Sequence, residues 1–109
     1  MNSYYVELRY IAPETERDDL DRHSDAVMEA LLVEPNLTEP DVGVNLGTGA
    51  VDVCATVQAD DEPTALRVAL VAIRSVVRHV SAATPRWDDA LRQVAGRVRP
   101  AVMSASFRS

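Results

Sequence analysis

From Tyr4 to Tyr10 the chain alternates: Tyr4, Val6, Leu8 and Tyr10 fall on one side of an extended backbone, and Tyr5, Glu7 and Arg9 on the other. That period of two predicts a strand with one buried face over residues 4–12. Thr15, with Asp18 three residues on, has the spacing of a helix-capping pair, and further acids suit the positive helix end. Leu20, Val27, Met28, Leu31 and Leu32 then recur at helical spacing until Pro35 stops the run. Residues 34–40, with Pro35 and Pro40, read as a surface loop. Val42, Val44 and Leu46 alternate, Gly47-Thr48-Gly49 interrupts, and Val51, Val53, Ala55 and Val57 resume, which predicts a hairpin. Asp60-Asp61-Glu62-Pro63 opens a second helix carrying Leu66, Leu70, Ile73, Val77 and Val80 on one stripe, ending before Pro85.

Residues 88–99 fit either helix or strand. Leu91, Val94 and Val98 have helical spacing, but Gly96 weakens a helix by about 1 kcal/mol, and Val94, Gly96 and Val98 also alternate. Topology favours a short helical turn at 88–92 and a strand over 93–99, because a final strand covers the open edge of the first. The order β-α-β-β-α-β predicts an α+β fold, the ferredoxin-like βαββαβ sandwich: a four-stranded antiparallel sheet with two helices on one face. One domain over residues 1–100 and a polar, frayed tail over 101–109 are expected.

Composition narrows the class. Apolar residues make up 47% and charged residues 26% of the 109, so a globular core is expected rather than disorder. No apolar run approaches the ~20 residues of a membrane span. The chain enters its first strand without a basic and then apolar leader, and Cys54 is its single cysteine, so a cytoplasmic location is expected and an internal disulfide is excluded. Residues 1–62 carry fifteen acids and three Arg, whereas 63–109 carry two acids and eight Arg, within a net charge of −6. The acidic balance disfavours nucleic acid unless a basic face is concentrated.

On the second helix Arg67, Arg74 and Arg78 share a stripe, and on the first Asp18, Asp21, Asp25 and Glu29 do. Two helices side by side are expected to pair these stripes as screened surface ion pairs. Val68 and Val71 lie among the Arg residues on the outer side, as apolar groups inside a charged rim. Arg67, Val68, Val71, Arg74 and Arg78, with Trp87 as an anchor or a cap on the core, form the candidate partner-binding surface. His23, one turn after Asp19, reads as a salt-linked structural histidine, since a metal needs a third ligand that no pattern supplies. His79 sits near a helix C-terminus, where a cation suits the dipole. Cys54 shares its strand side with Asp52, Thr56 and Gln58, facing away from the helices, and no base or positive field beside it is readable. No cofactor or metal motif is present, and none is expected to bind.

The stretch Ala65-Leu66, Leu70, Ala72-Ile73-Arg74-Ser75, Arg78-His79 and Thr84-Pro85-Arg86-Trp87 resembles small uncharacterised proteins of GC-rich bacteria. The resemblance implies no activity. From these residues the leading expectation is a small non-catalytic binding or regulatory module, acting by contact with a protein partner or by self-association. The alternative is a cofactor-free oxygenase or isomerase of the dimeric α+β barrel type, disfavoured because Tyr5, Glu7, Arg9, Asn45, Asp52, Thr56 and Gln58 make the uncovered sheet face polar. A second alternative, nucleic-acid binding, lacks the aromatic residues that such a face needs on its third strand.

Overall fold

The computed structural model describes residues 2–12, 17–80 and 90–101. Its elements are β1 (Asn2–Ile11), α1 (Arg17–Leu32), β2 (Thr38–Asn45), β3 (Ala50–Ala59), α2 (Glu62–Val80) and β4 (Ala95–Pro100). The strands pair antiparallel in the order β2-β3-β1-β4, and the chain adopts the ferredoxin-like fold. Thr15, Trp87 and the side chain of Asp18 lie outside the described residues.

The alternation of β1 holds along its length. Tyr4, Val6, Leu8 and Tyr10 are buried beneath the helices beside Val51, Val53, Ala55 and Val57 of β3. Each aliphatic side chain so buried contributes about 1.5–3 kcal/mol of apolar transfer. α1 closes the layer with Leu20, Val27 and Leu31, all buried. The buried side of α2 is Ala65, Ala69, Ala72, Ile73, Val76 and Val77, shifted from the expected stripe, while Leu66, Leu70 and Val80 are only partly buried. Three alanines at steps of four and three let this helix lie close to the sheet, and the larger leucines flank the contact.

α2 starts as its acids predict. Asp61 caps it by accepting from the Thr64 amide at 2.8 Å, and this amide with the Thr64 hydroxyl holds the Asp61 carboxyl below its usual range. The β2–β3 turn is organised by the Asn45 carboxamide oxygen, which accepts from the Gly47 and Thr48 amides at 2.9 and 3.2 Å. Gly49 there takes a φ of 79°, which suits glycine.

Two boundaries differ from the expectation. β2 begins at Thr38, inside the proline-bearing segment read as loop, with a register shift between Thr38 and Asp41 and a φ of 51° at Glu39. Pro40 is tolerated because β2 is an edge strand and the irregularity releases its place in the ladder. β4 begins at Ala95 rather than Gln93, following the helical residues 90–92 that bury Leu91.

Gly96 pairs with Leu8 and faces the helices. A Cβ there would lie 2.8 Å from both Leu66 Cδ1 and Leu8 Cδ2, so both leucine ends would have to turn away together. Gly96→Val is therefore expected to lower unfolding free energy by about 1–3 kcal/mol, read as a lower urea midpoint at an unchanged slope.

Candidate functional site

Two places in the molecule bring proton-transferring groups together. The first is interior. Tyr10 is the last inward-facing residue of β1, and α1 turns back over that end of the sheet, which sets His23 above it. The Tyr10 hydroxyl and His23 Nε2 stand 2.7 Å apart, with the rings edge to face at 89°. Tyr10 is 1% exposed and His23 is 8% exposed, and His23 is the one buried side chain among the described residues that can carry a charge near neutral pH. Burial lowers the His23 pKa to about 4 and raises the Tyr10 phenol above its usual value, so both are neutral near pH 7. A neutral phenol and a neutral imidazole make one good hydrogen bond in either tautomer.

The second place is the uncovered face of the sheet. Arg9 makes a two-pronged contact with Asp52, Nε to Oδ1 at 2.6 Å and Nη2 to Oδ2 at 3.0 Å. Arg99 lies over the Tyr5 ring, 4.8 Å from its centroid. A hydrogen bond with the Cys54 thiol, then partial burial and the Cys54 and Glu7 charges, raise the Tyr5 phenol to about 12 against the opposing pull of Arg99. Glu7, Arg9, Asp52, Cys54 and Arg97 line a depression of about 300 Å3 on this face. Register pairs Glu7 with Cys54 on one side and Arg97 on the other.

Of the predicted partner-binding residues, Trp87 lies outside the described residues and the other five line two adjoining depressions. Arg67, Val68 and Val71 line one open depression on the outer side of α2, and Val71, Arg74 and Arg78 line another. Val71 is 63% exposed. Val68 is partly buried and packs on the core, which corrects its placement on the outermost side. Among the described residues no ion pair joins Asp21, Asp25 or Glu29 to Arg67 or Arg74, so those contacts of the expected set do not form. The helices touch through their apolar sides, so both charged stripes point outward. Asp19 pairs with Arg22 one turn on, at 2.8 Å, and His23 bonds Tyr10, which corrects the salt-linked reading of that histidine.

The Tyr10–His23 pair was missed because Tyr10 fits an apolar strand face without remainder. Its hydroxyl was the available signal, since a buried tyrosine ordinarily finds a hydrogen-bond partner. No three His, Cys, Asp or Glu side chains converge as a metal site among the described residues. No helix of the described residues is long and apolar enough to cross a membrane.

No family model matches the sequence, and no curated protein does. Solved structures do match in fold. The chain is similar to the Mycobacterium tuberculosis protein Rv0793, at 19% identity and a TM-score of 0.57, over 95% of this chain and 99% of that one. It is similar to a Nitrosomonas europaea protein assigned as an antibiotic biosynthesis monooxygenase, at 12% identity, TM-score 0.53 and 97% of both chains. A Chloroflexus aurantiacus protein with the same assignment matches at 14% identity and TM-score 0.51, over 89% of this chain and 92% of that one. At these identities the likeness shows a shared fold. It also corrects the expectation of a non-catalytic binding module: the chains with which this one aligns nearly end to end include assigned oxygenases, and the enzyme alternative is the better supported.

Proposed function

We propose that the protein is a small oxygenase working without a resident cofactor, as a dimer joined through the open faces of two sheets. The observation that carries the reading is the Tyr10–His23 hydrogen bond, a proton-handling pair set in a mainly aliphatic interior. The fold shared with assigned monooxygenases supports it.

Dioxygen reacts slowly with closed-shell molecules, and an oxygenase without a cofactor draws its electrons from the substrate. An ionised phenol or enol is rich enough in electrons to supply them. For a phenol with a free ring position, the ring C–H and the O–H are lost, one oxygen atom forms the new C=O of a quinone, and the other leaves as water with both hydrogens. Atoms and electrons balance with dioxygen as the sole oxidant. His23 accepts the substrate proton, the anion formed beside it offsetting the burial that otherwise disfavours the imidazolium, and Tyr10, bonded to Nε2, orients the ring. Once that negative charge is spent, the same burial favours return of the proton as water departs.

The polar sheet face is compatible with pairing once its internal pairs are set aside: Arg9 takes up Asp52, and Glu7 stands beside Arg97. What is left is Asp41 of β2 toward one edge and the arginines of β4, Arg97 and Arg99, at the other. A two-fold axis along the strands lays the acidic edge of one copy on the basic edge of its partner.

The test is oxygen uptake by purified protein with a panel of phenols, hydroquinones and enolic diketones. Uptake that requires protein and no added reductant is expected for at least one class. Uptake only with a reduced nicotinamide or added metal, or none across the panel, would overturn the reading.

A further inference from the structure

The geometry points to a second interface, in which Asp25, Glu29 and Leu32 on α1 of one copy lie against Arg78, Arg74 and Val71 on α2 of another. The two sets have matching spacing, steps of four and three along α1 and the same steps in reverse along α2. Asp25, Glu29 and Arg78 are exposed and Arg74 is partly so, while Leu32 and Val71, both apolar, are 62% and 63% exposed.

The helices run antiparallel within one chain, because each follows one of two antiparallel strands and returns along it. Their relative height is also bounded: Glu34 and Asn36, just past the end of α1, line the same depression as Arg67, Val68, Val71, Ala72 and Ser75, which places the end of α1 within about a turn of Val71. A two-fold axis parallel to the helices preserves height while exchanging α1 for α2. Within that range the two exposed apolar residues select the register, Leu32 of one copy opposite Val71 of the other. At about 1.5 Å per residue on both helices, Glu29 then meets Arg74 and Asp25 meets Arg78.

The depressions of about 360 and 590 Å3 share Val71 and Ser75 and flank them, one toward Glu34 and Asn36 and the other toward Leu91 and Arg92. The exposed row of Val71 and Ser75 is thus a ridge with a hollow on each side, a surface that the ridges of another helix can pack against. The two-fold makes every contact occur twice, so the interface is closed and self-complementary. This inference does not depend on the oxygenase reading, since it uses the helix layer and leaves the sheet face available.

Charge exchange tests it. Glu29→Arg puts arginines opposite each other twice across the axis, and Arg74→Glu does the same with glutamates. Each alone is expected to weaken association by at least about tenfold. An equal mixture of the two variants is expected to associate again, because each mixed pair restores both Arg–Glu contacts. The readout is mass by sedimentation at low salt. With the sheet faces unpaired the wild type stops at a dimer; with them paired, the two nearly parallel two-fold axes on opposite faces compose to a translation, so the wild type grows past four chains with concentration while each single variant stops at the sheet-face dimer. The two failures are therefore distinguishable. Single variants that keep the wild-type mass, a mixture that stays dissociated, or a wild type that shows no association beyond the sheet-face dimer or, without it, the monomer would overturn the interface.

Discussion

Replacing His23 by glutamine is expected to lower oxygen-dependent turnover by about 100-fold or more, the usual contribution of a positioned acid–base group. The side chain is 8% exposed, and its Nε2 lies 2.7 Å from the Tyr10 hydroxyl. Glutamine retains an amide that can bond the same phenol, so the fold should persist while the proton acceptor is lost. Tyr10→Phe keeps the imidazole and removes the group that orients it, and a smaller loss, about tenfold, is expected in kcat with KM little changed. The steady-state rate of oxygen uptake measures both. A glutamine variant as active as the parent would remove His23 from the mechanism.

Acid is expected to unfold the protein earlier than its surface carboxylates alone would. The folded His23 titrates at about 4, because burial penalises the imidazolium, whereas an unfolded histidine titrates near its ordinary 6.5. Between those values the unfolded chain binds the extra proton, so stability is fully present above the upper value and is lost as pH falls toward the lower one. Below it both states are protonated and the loss stops. At about 1.4 kcal/mol per unit the window removes roughly 3 kcal/mol, a large share of the ~5–15 kcal/mol of a typical domain. Asp61 acts in a different window: its carboxyl is held below the usual range, so its contribution falls away only at lower pH. Urea unfolding at a series of pH values should show the slope between pH 6.5 and pH 4, and His23→Gln should flatten it. A wild type equally stable across that window would mean that His23 is solvated or charged in the folded state.

The strands and helices were legible because burial and period coincide in them. Tyr4, Val6, Leu8 and Tyr10 alternate without exception, and all four are buried. β4 was reached through topology, since the apolar pattern around Gly96 fits two periods and only the pairing with β1 chooses between them. The start of β2 was hidden by Pro40, whose usual meaning as a strand breaker lapses at an irregular edge. On α2 the leucines drew the expected stripe, but close packing on the sheet selects small side chains, and Ala65, Ala69 and Ala72 take the inner positions.

The candidate site was harder to read because its members are distant in sequence and ordinary in type. Tyr10 has the place of a core residue, and His23 was assigned to Asp19 on its own helix, the nearest acid by spacing. Only the packing of α1 on β1 joins the two. The polarity of the open face argued against an enzyme when it was taken as a sum over residues. Its arrangement carries the opposite meaning, because with Asp52 held by Arg9, Asp41 toward one edge and Arg97 and Arg99 at the other leave the face complementary to itself. The arginines of α2 do share one side of their helix, yet among the described residues Asp21, Asp25 and Glu29 of α1 pair with neither Arg67 nor Arg74.

An oxygenase of this kind consumes dioxygen with electrons drawn from the organic substrate alone. Turnover under isotopically labelled dioxygen, followed by mass spectrometry of product and water, tests this directly. One labelled atom in the product and one in water, with no reductant consumed, is the predicted result. Product oxygen drawn from unlabelled water, or turnover that proceeds equally well without dioxygen, would contradict it.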